Sequence, residues 1–320
     1  MVYQHYRTLL DSRCQEVYDA LYHGIKKVET KIITPLVTQI ELNKIYEFLV
    51  LDNPIFFYFK ERSYTWTQKE IIFTPIYLYD IDTICNYLKE IGRLTRVLRF
   101  KNGRNDYDFI LHINGLLKRK VVYNDDGSDE SHSIIGSLIN KSAVCDGISK
   151  LFKYICDIND IYCIVSIGRA KSTYNSETYT GHAWNKVKID NTWVNIDITY
   201  NLTAGSDERH DYCFLSDKAL KQTHIGTSFD MINCESDEYN YYYKNNLVME
   251  NQNSLRSFLN KIITNNQDRF EFKIPKTKNI EEVINKVVRV TEDVLAEKNI
   301  YKGFRVEYNL DQLIFFIYLD

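Results

Sequence analysis

Two β-rich runs, Gly181–Ile189 and Thr192–Ile198, are separated by only two residues, Asp190-Asn191. A two-residue Asp/Asn connection between such runs predicts a tight β-hairpin. It also sets the register: Ile189 faces Thr192, so opposed positions sum to 381. In that register Trp184 faces Asp197 and His182 faces Thr199. Asp197 is then the diagonal neighbour of His182 on the same face, about 7–8 Å away at Cα, a gap that side chains bridge. A connection one residue longer would turn Asp197 to the opposite face.

A third residue completes a chemical set. After Cys145 the apolar residues Val144, Ile148, Leu151, Phe152 and Ile155 recur at helical spacing. Cys145 is therefore expected in the first turn of a helix, with Ser142 as its N-cap. Unpaired N–H groups and the helix dipole favour an anion there. A lone Cys near a helix start is more often a small buried hydrophobe. Joined to an imidazole and a carboxylate, it suits nucleophilic acyl chemistry: the sulfur attacks, the imidazole moves the proton, the carboxylate orients the imidazole.

The segments Ala143-Val-Cys-Asp-Gly147, Gly181-His-Ala-Trp-Asn185 and Asn195-Ile-Asp-Ile-Thr-Tyr200 resemble the three signature segments of the transglutaminase-like superfamily. The segment 107–124 is similar to the helix that precedes the Cys segment in bacterial members. The usual Asp-Pro-Thr-Trp reads Asp197-Ile-Thr-Tyr200 here, with the acidic residue kept. The resemblance covers roughly residues 100–215. It implies an α+β, papain-like core with a helix-borne Cys packed on an antiparallel sheet, and a Cys145–His182–Asp197 triad. It further implies a cysteine protease, amidase or crosslinking transglutaminase, that is, a hydrolase or acyltransferase working through a thioester on a protein or peptide substrate. The rival reading is a catalytically idle scaffold of the same fold that binds a protein partner.

Charge and cysteine usage narrow the remaining classes. The formal net charge is −3 and no long basic run appears, which argues against a nucleic-acid partner. The seven cysteines are scattered, odd in number and without a Cys-x-x-Cys pair. That argues against a disulfide framework or a zinc site, and no cofactor or metal is expected. The N-terminus lacks the basic start and apolar core of a signal peptide, so a cytoplasmic location is expected. No run approaches 18 apolar residues; Leu313–Leu319 is the longest and has strand length. The oligomeric state is left open.

Three parts are expected: an N-terminal α/β region (1–80), the catalytic core (81–220), and a C-terminal linker with a small α/β unit (221–320). The first region should begin with one long helix through Tyr6, Val17 and Ile25, with His5 and His23 in surface or packing roles. Asp106–Val122 reads as a helix in which His112 is buried and hydrogen-bonded. Asn124–Ser131 reads as a solvated acidic turn rather than a calcium loop. Asn140 is a candidate oxyanion donor by proximity to Cys145. Tyr174, Tyr179 and Trp184 are candidate substrate contacts, the tyrosines because Arg169–Thr180 leads into the His182 strand. Core packing is the default for Trp184. The Tyr-rich segment Ser236–Asn246 is a weaker candidate for the cleft rim.

Overall fold

The computed structural model describes residues 2–99, 103–172, 177–203, 205, 208–226, 228–264, 267–275 and 279–320. Its centre is a five-stranded antiparallel sheet in the order His224–Gly226, Cys163–Lys171, Tyr179–Ile189, Thr192–Ile196, Cys213–Leu215. The hairpin forms with the register read from its turn: Ile189 pairs with Thr192, Val187 with Val194 and Asn185 with Ile196. Asp190 takes φ +52° in the turn, a left-handed conformation that Asp tolerates better than most residues. The ladder ends at Ile196, however, because the chain turns into the helix Ile198–Thr203. Trp184–Asp197 and His182–Thr199 are therefore not ladder pairs.

The helix Cys145–Asp157 lies on this sheet and buries Ile148, Leu151, Phe152 and Ile155. Two polar contacts fix its height. Ser149 Oγ donates to Ala183 O at 3.1 Å, and Asn185 Nδ2 donates to Ser149 O at 3.0 Å. The expected cap is corrected. Val144 occupies the N-cap position and no side chain caps the helix. Ser142 is drawn off because Ser142–Ala143 pairs in parallel with Val122–Tyr123, and Val144 N–H donates to Ser131 O. Gly147 permits that close approach, since a Cβ there would lie 2.4 Å from Ser131 O.

The N-terminal region shares the core of the central sheet. One continuous apolar cluster joins Tyr6, Val17, Phe48 and Phe73 to Phe152, Ile164 and Val194. The expected single helix is broken into His5–Thr8 and Ser12–Lys26. Asp11 starts the second piece by accepting from Cys14 N–H. Buried Asp52 accepts from Tyr6 N–H, Arg7 N–H and Tyr18 Oη, and so holds the first piece. Gln39–Asp52 is a helix with a Thr38/Glu41 capping box. A three-stranded sheet follows in the order Ile32–Thr34, Ile71–Tyr77, Phe59–Trp66.

Residues 249–317 build a second apolar core. There the helices Gln252–Thr264 and Ile280–Glu297 cover a sheet ordered Arg269–Lys273, Ile314–Leu319, Phe304–Asn309. The Tyr-rich segment ties this unit to the rest instead of rimming the cleft. Tyr242 Oη donates to Glu271 at 2.7 Å, Tyr241 stacks on His210, and Tyr239 Oη donates to Asp190 at 2.6 Å. Among the described residues, no helix is long and apolar enough to cross a membrane.

Candidate active site

Asp197 sits between the end of its strand and the next helix, and is completely buried. It serves two structures at once. Its Oδ1 accepts from Tyr200 N–H at 2.9 Å, which starts the helix Ile198–Thr203. Its Oδ2 contacts His182 Nε2 at 2.7 Å. The His182 side chain is only 8 % exposed, and its other ring nitrogen is free to serve Cys145. Cys145, half-buried in the first helical turn, interacts electrostatically with His182.

The electrostatics follow from these contacts. Burial alone would push His182 down; the charge and hydrogen bond of Asp197, reinforced by the Cys145 sulfur, overcome it and raise the ring to about 10. Burial alone would push Asp197 up; the charge of His182 and hydrogen bonds from His182 and His224 hold it well below the usual carboxylate range. At neutral pH the pair is an imidazolium and a carboxylate.

A second histidine shares the carboxylate. His224 Nε2 lies 2.9 Å from Asp197 Oδ2, and His224 Nδ1 lies 2.8 Å from Thr223 Oγ1. The sequence places this residue in the C-terminal linker, with no role foreseen for it. His224 belongs to the edge strand His224–Gly226, which pairs with Gly168–Ala170. Only that long-range pairing brings it to the site.

The remaining candidates separate. Trp184 is 2 % exposed and its Nε1 donates to Asn195 Oδ1, the core packing that is its default. It stacks nearly parallel to His182, at 6.3 Å between ring centroids. Gly168 makes room for it, because a Cβ there would meet the Trp184 ring at 2.9 Å. Asn140 ends a π-helical turn, Gly136–Asn140, and its amide donates to Glu130 at 2.6 Å, so that amide is occupied. Tyr179 is half-buried at the start of the His182 strand; Tyr174 lies outside the described residues. His112 is exposed on the helix Asp106–Lys120, not buried; the inward face is Phe109, Ile110, Ile113 and Leu117. Tyr123, at the end of the segment similar to the helix before the Cys segment, pairs with Ala143; partial burial and the nearby Cys145 raise its phenol.

His182, Asp197 and His224 offer three ligand atoms within 4.8 Å of one another. A metal bound at about 2 Å from each ligand would have to replace both hydrogen bonds at Oδ2. Asp197 and His224 have no exposed side-chain surface, and the group reads as a closed hydrogen-bond array. A second group, Asp11, Cys14 and Glu41, has both carboxylates engaged in helix caps.

The Cys145 helix packs on the sheet that carries His182 and leads into Asp197. The sequence model of the transglutaminase-like superfamily matches residues 95–198, and the chain carries a transglutaminase-like domain. That span includes Cys145, His182 and Asp197 and ends before His224. Similar solved structures include a TGase, at TM-score 0.33 and 12% identity over 47% of each chain. Another is a candidate cysteine protease from Cytophaga hutchinsonii, at TM-score 0.29 and 14% identity, over 43% of this chain and 61% of that one. A third is menin, in a structure that reveals its binding site for Mixed Lineage Leukemia (MLL) protein, at TM-score 0.31 and 12% identity, over 68% of this chain and 53% of menin. This chain thus spans less than two thirds of each. No protein with a curated description matches it.

Proposed function

We propose that Cys145, His182 and Asp197 form a catalytic triad for thiol-dependent acyl transfer or hydrolysis at a peptide or amide carbonyl. The observation that carries this reading is the 2.7 Å contact between His182 Nε2 and a fully buried Asp197, with Cys145 acting electrostatically on the same ring. The sulfur attacks the carbonyl carbon, and the Cys145 backbone N–H in the helix's first turn is one donor to the oxyanion. The C–N bond then breaks, and His182 hands its proton to the departing amine. A thioester on Cys145 remains. Water resolves it in a protease or amidase, and a lysine-like amine resolves it in a crosslinker; both routes share the acyl-enzyme. The substrate is a protein or peptide; Tyr179, at the start of the strand that carries His182, and Tyr174 are proposed contacts.

The test is a peptide library incubated with the full chain, with and without an added primary amine, and read by mass spectrometry. Hydrolysed or amine-exchanged products are expected, and Cys145→Ala abolishes them while the protein stays folded. An unmodified library in both arms, with no acyl adduct on Cys145, favours the idle scaffold instead.

A further inference from the structure

We propose that His224 is a positioning residue: its Nε2–H holds the Asp197 carboxylate in the orientation and charge state that His182 requires. This rests on the triad reading above but is tested apart from turnover.

The protonation pattern follows from the partners. Asp197 is ionised and offers only lone pairs, so the facing nitrogen of His224 must carry the hydrogen. Burial, set against Asp197 and reinforced by the charge of His182, pushes His224 down, so the ring is neutral. A neutral ring with hydrogen on Nε2 must accept at Nδ1; this assigns the Thr223 hydroxyl, 2.8 Å away, as the donor there, in preference to its longer 3.4 Å contact with Leu220 O. The tautomer is thus set by the residue beside it. The ring is also confined: Trp184, Tyr200 and Tyr212 pack around it at 5.2, 4.9 and 5.8 Å between centroids.

The need for this donor comes from the reaction. Asp197 receives three hydrogen bonds, from His182, Tyr200 N–H and His224. When His182 gives up its proton, its positive charge disappears while the carboxylate remains fully buried. A buried carboxylate without enough donors takes up a proton or turns away. Neutral His182 still donates from Nε2 but no longer carries the charge that balanced the carboxylate. Tyr200 N–H reaches Oδ1, and among the described residues His224 is the second donor to the oxygen that His182 uses.

The experiment is a ring-carbon NMR titration of His182 in histidine-labelled protein, for the unmodified chain, His224→Phe and His224→Gln. Phe fills the aromatic box but donates nothing; Gln places an N–H near the Nε2 position. The unmodified chain should hold His182 protonated to about pH 10. In His224→Phe the midpoint should fall by about one pH unit or more, because a loosened or protonated Asp197 attracts the imidazolium less. His224→Gln should recover most of that shift, which a purely space-filling role would not do. If His224→Phe does not fold, Thr223→Val takes its place: losing the hydroxyl frees the tautomer, and a smaller shift in the same direction is expected. An unchanged or raised midpoint in a folded Phe or Val variant overturns the proposal. So does a stoichiometric divalent metal in the purified chain that leaves with His224. An inert Cys145 alongside the expected shifts would defeat the triad reading and leave the positioning intact.

Discussion

The two cores of this chain are built on the same plan, helices against an antiparallel sheet, yet they place polar groups differently. The unit around residues 249–317 has an apolar cluster of Leu259, Phe272, Val287, Val290, Val294 and Phe315, with buried polar groups such as Thr291 and Gln312 fewer and apart. The central sheet buries Ser149, Ser166, Asn185, Asn195, Asp197 and His224 within its apolar surroundings. Each of those side chains has a hydrogen-bond partner. Burying a polar group costs stability unless its bonds are replaced, and the replacements demand fixed geometry. The central sheet holds several polar side chains in one arrangement, and the proposed triad lies among them.

The comparison can be broken by substitution. All three tryptophans lie at 66, 184 and 193, so tryptophan fluorescence reports the first core and not the C-terminal unit. Asp197→Ala should have the largest effect, about 3–5 kcal/mol in urea unfolding followed by fluorescence, because it strands a buried imidazolium and two N–H donors. Val290→Ala in the other core should cost about 2 kcal/mol, the loss of two buried methyl groups and a small cavity. Hydrogen exchange should confine that loss to 249–320, with fluorescence little changed. Identical shifts by both probes for both variants would mean one cooperative unit and end the distinction.

The pH dependence should differ in sign. His182 is raised above its ordinary value, to about 10. Its contribution is complete below about pH 6.5 and is lost as pH rises toward 10. Asp197 is depressed, so the same pair also weakens as pH falls below the usual carboxylate range. In the C-terminal unit Lys273 is lowered to about 8 by burial, against the charges of Asp211 and Asp237. The unfolded chain binds that proton more tightly, so this unit should gain stability between about pH 8 and 10.5. Peptide-resolved hydrogen exchange at pH 7 and 9.5, corrected for intrinsic rates, would show protection falling in one core and rising in the other. The smallest effect sharpens the hairpin's far end: Tyr239→Phe removes the bond to Asp190 and should cost about 1 kcal/mol.

What could be read from the residues alone was local. The Asp190-Asn191 turn and period-two patterning set the register, and every observed pair of the hairpin obeys it. The start of the helix at Cys145 follows from its apolar spacing. Misreadings arose where two local structures competed for one residue or where a distant segment intervened. Ser142 could cap a helix or pair in a strand, and the partner at Val122 decided it. Asp197 could extend its strand or cap the next helix, and Tyr200 N–H decided that. His224 lies in a three-residue strand with two exposed positions, too short to show a period. His112 sits at the flank of an inward face, where one helical step separates buried from exposed.

The central claim is that Cys145 is chemically set apart by His182 and Asp197. The direct measurement compares iodoacetamide alkylation of Cys145 and Cys85 near pH 6.5 by peptide mass spectrometry, with His182→Ala as the control. Cys85 is exposed, Cys145 is half-buried, and the other five cysteines are buried. Access alone would make Cys85 the faster. The triad predicts that Cys145 reacts faster, and that His182→Ala removes its lead. Slower labelling of Cys145 than of Cys85 in the folded, unmodified chain would contradict it.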